Sequence, residues 1–231
     1  MKNLTRVFLG LTFTIVVFSL SMVIGSMIDL RIYFIPSSFI KHSLMLLFSI
    51  VGIMYFHKYV DYKISFPKIK TIIRPALTGL LVTIIFNIMF SVISSLLGAK
   101  TESHAILKKM SPLQVFLFVF VYASIAEEIL FRGFLLNILA PLKVQKVEFF
   151  RSSVSVSVII SAFVFGLAHL ILISTGAGVI FLIRIVAFTT LLGLVAGYYQ
   201  EKYENNAYAI IVHMSGNLMA VIGSIIMSMS V

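Results

Sequence analysis

From Val7 to Ile28 the chain runs without one charged residue. A helix crosses the hydrocarbon of a bilayer with about 20 mostly apolar residues. Apart from a closed barrel, no other structure satisfies its backbone hydrogen bonds there. Six more predominantly apolar stretches of similar length follow, at about 40–57, 76–98, 112–139, 153–173, 178–200 and 207–230. The pattern predicts an all-α polytopic transmembrane bundle of seven helices, or eight if one segment is split. Residues 1–231 read as a single integral membrane domain, with 1–111 supplying N-terminal helices and 112–231 carrying the unusual polar residues. The first stretch is longer than the apolar core of a signal peptide and has no A-x-A site after it, so it is expected to stay as an anchor.

Composition narrows the function. The chain is 60% hydrophobic and 11% charged, against about 25% charged in a soluble domain. It has no cysteine, which removes disulfides, thiolate metal sites and a cysteine nucleophile. The formal net charge of +10 does not point to nucleic acid, because the positive residues gather in short loops. Lys2 and Arg6 precede the first segment. Lys58, Lys63, Lys68, Lys70 and Arg74 follow the second, and Lys143, Lys146 and Arg151 follow the fourth. Positive loops stay in the cytoplasm. The N-terminus is therefore expected inside and the C-terminus outside a cell membrane, against the weaker counter-signal of Lys100, Lys108 and Lys109.

Ionisable residues inside membrane segments are costly and mark function by default. Well inside the segments they are Glu127, Glu128, Arg132, His169, Arg184 and His213, with Asn87, Asn137 and Asn217 as uncharged companions. Two of the chain's 8 acidic residues thus stand together in "EEILFRG", at the end of a long uncharged run. Glu128 and Arg132 are four apart and share a helix face, so they are expected to pair. Glu127 is rotated by about 100° and is the less neutralised carboxylate, which suits it to take a proton from water. His169 lies in "FVFGLAHL", with Phe165 one turn earlier and Gly166 open to close helix approach. His213 and Asn217, in "HMSGN", share a face and could donate hydrogen bonds to a developing oxyanion, bind a metal, or join helices. Arg184 is expected to snorkel to the outer surface. Gly193 and Gly197 form a G-x-x-x-G packing signal.

The ordered set EExxxR (Glu127, Glu128, Arg132), FxxxH (Phe165, His169) and HxxxN (His213, Asn217), over about residues 112–231, resembles the CAAX-protease and bacteriocin-processing family of intramembrane proteases. The family is also called Abi, or type II CAAX prenyl endopeptidase-like. The resemblance implies peptide-bond hydrolysis, with Glu127 activating water and His169 as its partner. It implies that Glu128 and Arg132 hold the site and that His213 and Asn217 stabilise the oxyanion. Members have been described both as metalloproteases and as glutamate-dependent proteases, so Glu127, His169 and His213 are candidate ligands for a divalent metal such as zinc. Its members often have eight membrane helices, one more than the segments counted here. A peptide or membrane-associated protein is the implied substrate, in bacteriocin immunity or peptide-pheromone processing in a bacterial cell.

Two other readings use the same residues. A non-catalytic relative would serve as a membrane partner or scaffold. A proton-coupled transporter also buries carboxylates and histidines, but would show repeat symmetry, whereas the polar groups here concentrate in the second half. On the protease reading, Glu127, His169, His213 and Asn217 should line one polar cavity toward the cytoplasmic side.

Overall fold

A computed structural model describes residues 3–98, 110–149 and 152–229. Lys2, Lys100, Glu102, Lys108, Lys109 and Arg151 lie outside the described residues. Among the described residues, seven helices are long and apolar enough to cross a membrane: α1 (Asn3–Met27), α2 (Ser38–Tyr55), α3 (Ile69–Leu96), α4 (Pro112–Leu136), α5 (Val156–Thr175), α6 (Val179–Tyr203) and α7 (Asn206–Met229). The chain is a multi-pass membrane protein with an all-α bundle. Helix ends run past the apolar stretches. The third helix begins at Ile69, ahead of Pro75, and Glu201 and Lys202 belong to the last turn of α6 and not to a loop. Hydropathy marks where lipid lies, and backbone hydrogen bonding carries a helix beyond it.

Between α4 and α5 the chain forms an antiparallel hairpin, β1 (Lys146–Phe149) and β2 (Ser152–Ser155), with Lys146 opposite Ser155 and Val147 opposite Val154. These strands are too short for an alternating pattern to stand out in the sequence.

The second half of α4 is the centre of the bundle. All eight residues from Ile129 to Leu136 are buried, as expected of a helix enclosed on every side. Helices α1, α2, α5, α6 and α7 pack against it. Phe13 of α1 lies against Phe134, ring centroids 4.6 Å apart, and Phe131 meets Phe165 of α5 at 5.0 Å.

α4 is also wound differently from its neighbours. Val115–Ala123 and Ile129–Leu136 are π-helical, and the α-helical Ser124–Glu128 lies between them. π winding moves each backbone bond from the fourth to the fifth residue and frequently marks functional sites. Side chains then cap carbonyls of this helix. Ser161 of α5 donates to Phe131 O at 2.8 Å, and Gln200 of α6 donates to Arg132 O at 2.7 Å. Asn217 of α7 donates to Val119 O at 3.3 Å. Asn137, just past α4, turns back onto the carbonyls of Arg132 and Gly133.

Two other polar residues hold helix pairs. Arg184 donates from Nη2 to Asn87 Oδ1 of α3 at 2.5 Å, and its guanidinium lies over the Phe90 ring. Arg6 donates to the carbonyls of Tyr59 and Asn137, tying α1 to the connection after α2 and to the end of α4.

Helices α5 and α6 meet through small residues. A Cβ on Gly193 would strike Ala162 and the Arg132 guanidinium, and one on Gly197 would press on Val158. A Cβ on Gly166 would lie 2.9 Å from the Val186 carbonyl oxygen and closer still to Thr190. A backbone carbonyl cannot swing aside. Gly166→Val should therefore destabilise the protein by about 1–3 kcal/mol, read as a lowered thermal midpoint in detergent. Gly223→Ala, where a Cβ meets nothing within 4 Å, should leave the midpoint in place.

Candidate active site

The short α-helical turn Ser124–Glu128 delivers the two carboxylates in different directions. Glu128 is fully buried, and its Oε1 accepts from Arg132 Nη1 at 2.9 Å and from His213 Nδ1 at 2.8 Å. The pairing with Arg132 follows from their four-residue spacing. The Arg132 guanidinium is also fully buried and lies 4.4 Å from the centroid of the Phe165 ring, and the absence of a side chain at Gly193 leaves room for it. Glu128 Oε2 and Arg132 Nε and Nη2 have no hydrogen-bond partner among the described residues. The site thus keeps polar capacity that its own side chains do not use.

Glu127 points elsewhere and keeps 17% of its side chain exposed. Its Oε1 lies 3.3 Å from Nε2 of His42, and its Oε2 lies 3.8 Å from Nε2 of His213. His213 therefore lies between the two glutamates, hydrogen-bonded to Glu128 through Nδ1, with Nε2 facing Glu127 beyond hydrogen-bond distance. The Glu128 carboxylate accepts the Nδ1 hydrogen, so a neutral His213 presents a lone pair at Nε2. His169, where the α-helical part of α5 ends, donates from Nδ1 to the Phe165 carbonyl at 3.0 Å and leaves Nε2 free. It stands edge-on to the Phe165 ring at 5.1 Å, and the same ring lies 5.5 Å from His213. Phe165 is thus the shared apolar face of Arg132, His169 and His213. Asn217, one turn after His213, gives its amide hydrogens to Ser124 Oγ at 3.1 Å and to Val119 O.

The structure joins Glu128, Arg132 and His213 by hydrogen bonds, places Glu127 3.8 Å from His213, and gathers His169 to them through Phe165. Asn217 is joined to Ser124, one turn before Glu128, and makes no hydrogen bond to either glutamate. Glu127 is the less neutralised of the two carboxylates, since it faces imidazoles where Glu128 has a guanidinium. Glu128 also accepts from His213. One expectation changes. The neutral His213 and Asn217 do not offer free hydrogen-bond donors, because theirs are already used. Sequence reading passed over His42 and Ser124. His42 follows Lys41 at the start of an apolar stretch and looks interfacial, and a serine in a membrane helix usually bonds its own backbone.

The donor chemistry of Glu127, His169 and His213 would suit a divalent metal. Among the described residues, however, no three His, Asp or Glu side chains are gathered closely enough to hold one. As they stand, these residues do not fit a metal centre.

The two glutamates should respond differently to loss of charge. Glu128→Gln leaves Arg132 buried without a counter-charge and should lower stability by about 3–5 kcal/mol. Glu127→Gln, partly exposed and facing imidazoles, should cost clearly less. Thermal unfolding of the two purified variants checks the order, and equal losses would contradict it.

A protein-family model described as Type II CAAX prenyl endopeptidase Rce1-like matches residues 109–219. No curated protein and no solved structure matches the chain. The family match spans Glu127, Glu128, Arg132, Phe165, His169, His213 and Asn217, and leaves α1 to α3 outside. Over residues 109–219, a little under half of its length, the chain is similar to the Rce1-like family of type II CAAX prenyl endopeptidases.

Proposed function

We propose that this protein is an intramembrane endopeptidase that hydrolyses peptide bonds with water activated by Glu127. The observation that carries the reading is a partly exposed carboxylate between two imidazoles, Nε2 of His42 at 3.3 Å and Nε2 of His213 at 3.8 Å, inside an otherwise apolar bundle. Glu127 removes a proton from water as the oxygen adds to the scissile carbonyl. It returns that proton to the amide nitrogen as the C–N bond breaks, so it acts as base and then acid. His169, with Nδ1 committed to the Phe165 carbonyl and its ring against Phe165, assists the proton transfers through Nε2. Glu128 and Arg132 hold His213 in one tautomer. His213 becomes a donor to the oxyanion only when protonated at Nε2, and Asn217 becomes one by exchanging its bond to Ser124 for a bond to substrate.

The substrate class we favour is a peptide or membrane-associated protein of a bacterial cell, in bacteriocin immunity or in pheromone and leader-peptide processing. Comparative proteomics of membrane peptides from cells carrying wild type or Glu127→Ala identifies it. Peptides that differ reproducibly between the two support the reading, and identical profiles count against it.

The mechanism uses no obligatory metal. Purified, extensively chelated protein should retain cleavage of a responsive peptide and lose it in a folded Glu127→Gln variant. Activity lost on chelation and restored by about one equivalent of metal would overturn this.

We place the N-terminus in the cytoplasm, on the strength of Arg6, Lys58, Lys63, Lys143 and Lys146 at one end of the bundle. The lack of native cysteine makes a clean labelling test. Tyr33→Cys and Val144→Cys replace exposed residues of loops assigned to opposite sides. An impermeant maleimide should label Tyr33→Cys in intact cells and Val144→Cys only after lysis. The reverse result would invert the topology.

A further inference from the structure

His42 belongs to α2, outside the residues matched by the family, and the proposed reaction above gives it no part. Its side chain is 14% exposed, with Nε2 3.3 Å from Oε1 of Glu127. Its Nδ1 is buried and has no hydrogen-bond partner among the described residues. A neutral imidazole carries one N–H. With a single polar neighbour, the ring keeps that hydrogen on the nitrogen that faces it, so Nε2–H donates to Glu127.

The aim of His42 is fixed by the residues around it. Ser43 Oγ and the Tyr122 hydroxyl are 2.7 Å apart, joining α2 to the first π-helical stretch of α4. One turn before His42, Phe39 lies against Tyr122 at 5.0 Å and against Phe118 at 5.7 Å. One turn later Met45 is fully buried. Together these contacts set the rotation of α2 and hence the direction of the imidazole.

We propose that His42 is a positioning residue for Glu127. By holding Oε1 from the α2 side, it leaves Oε2 turned toward His213 and toward the water to be activated. A carboxylate with one oxygen fixed has one orientation in which to meet substrate, and a small misplacement there costs on the order of 100-fold in rate. The role rests on the endopeptidase reading, whereas the contact itself does not.

The test has two arms on the full-length protein in detergent. In the first, the protein carries isotope-labelled histidine at its 5 positions, and the His42 Nε2 resonance is identified by its loss in His42→Leu. Glu127→Ala should shift that resonance, and an unmoved resonance overturns the contact whether or not any peptide is cleaved. The second arm uses an internally quenched peptide that the wild type cleaves. His42→Leu should lower kcat on the order of 100-fold with KM unchanged. His42→Gln, whose amide can donate from nearly the same place, should recover most of the loss. No loss in His42→Leu, a change confined to KM, or failure of His42→Gln to recover rate would each overturn the positioning role. If the wild type cleaves no peptide while the resonance shifts, the endopeptidase reading fails, and the positioning role with it, and the pairing stands.

Discussion

A carboxylate fully removed from water has to be compensated within a few ångströms, and Glu128 meets that requirement with one oxygen shared between Arg132 and His213. Much of the centre of the bundle follows from this arrangement. Arg132 needs a site large enough for a guanidinium, and Gly193 leaves the room while Phe165 supplies a ring face. His213 is held in a single tautomer, which decides what its other nitrogen can present to Glu127. Replacing a buried ion pair with apolar residues can be neutral or stabilising. Such a group in the middle of a bundle therefore points to the chemistry around it more than to stability.

The winding of α4 serves the same end. An α-helix satisfies its own backbone and offers neighbours only side chains. With π turns on both sides of Ser124–Glu128, α4 receives hydrogen bonds on its carbonyls from Ser161, Gln200 and Asn217, each on a different helix. The two glutamates thus sit on a backbone fixed from several directions, and the precision a site needs comes from the scaffold around it.

The helices and the polar residues were largely legible from the chain. Seven apolar stretches gave the architecture because lipid leaves a backbone few choices. The Glu128–Arg132 pair followed from a spacing of four. The π winding was not legible, since Val115–Ala123 and Ile129–Leu136 have the composition of any buried helix. The partners of Arg184 and Glu127 were not legible either. Asn87 and His42 come from helices far away in sequence, and periodicity within one helix says nothing about which residue another helix will turn toward it. The donors of Asn217 and His213 were misjudged for the same reason, because Ser124 and Glu128 had already claimed them.

The position of Glu128 and Arg132 within one helix also bears on biosynthesis. A lone charged residue at the centre of a nascent membrane helix costs roughly 2.5–3.5 kcal/mol on insertion, and α4 carries three. Helices α5, α6 and α7, which supply Ser161, Gln200 and His213, are synthesised later and cannot help when α4 leaves the ribosome. A carboxylate and a guanidinium one turn apart on the same helix compensate each other without waiting for them. The segment can therefore enter the bilayer with its most deeply buried charges already matched, and the later helices assemble around a pair that arrived intact.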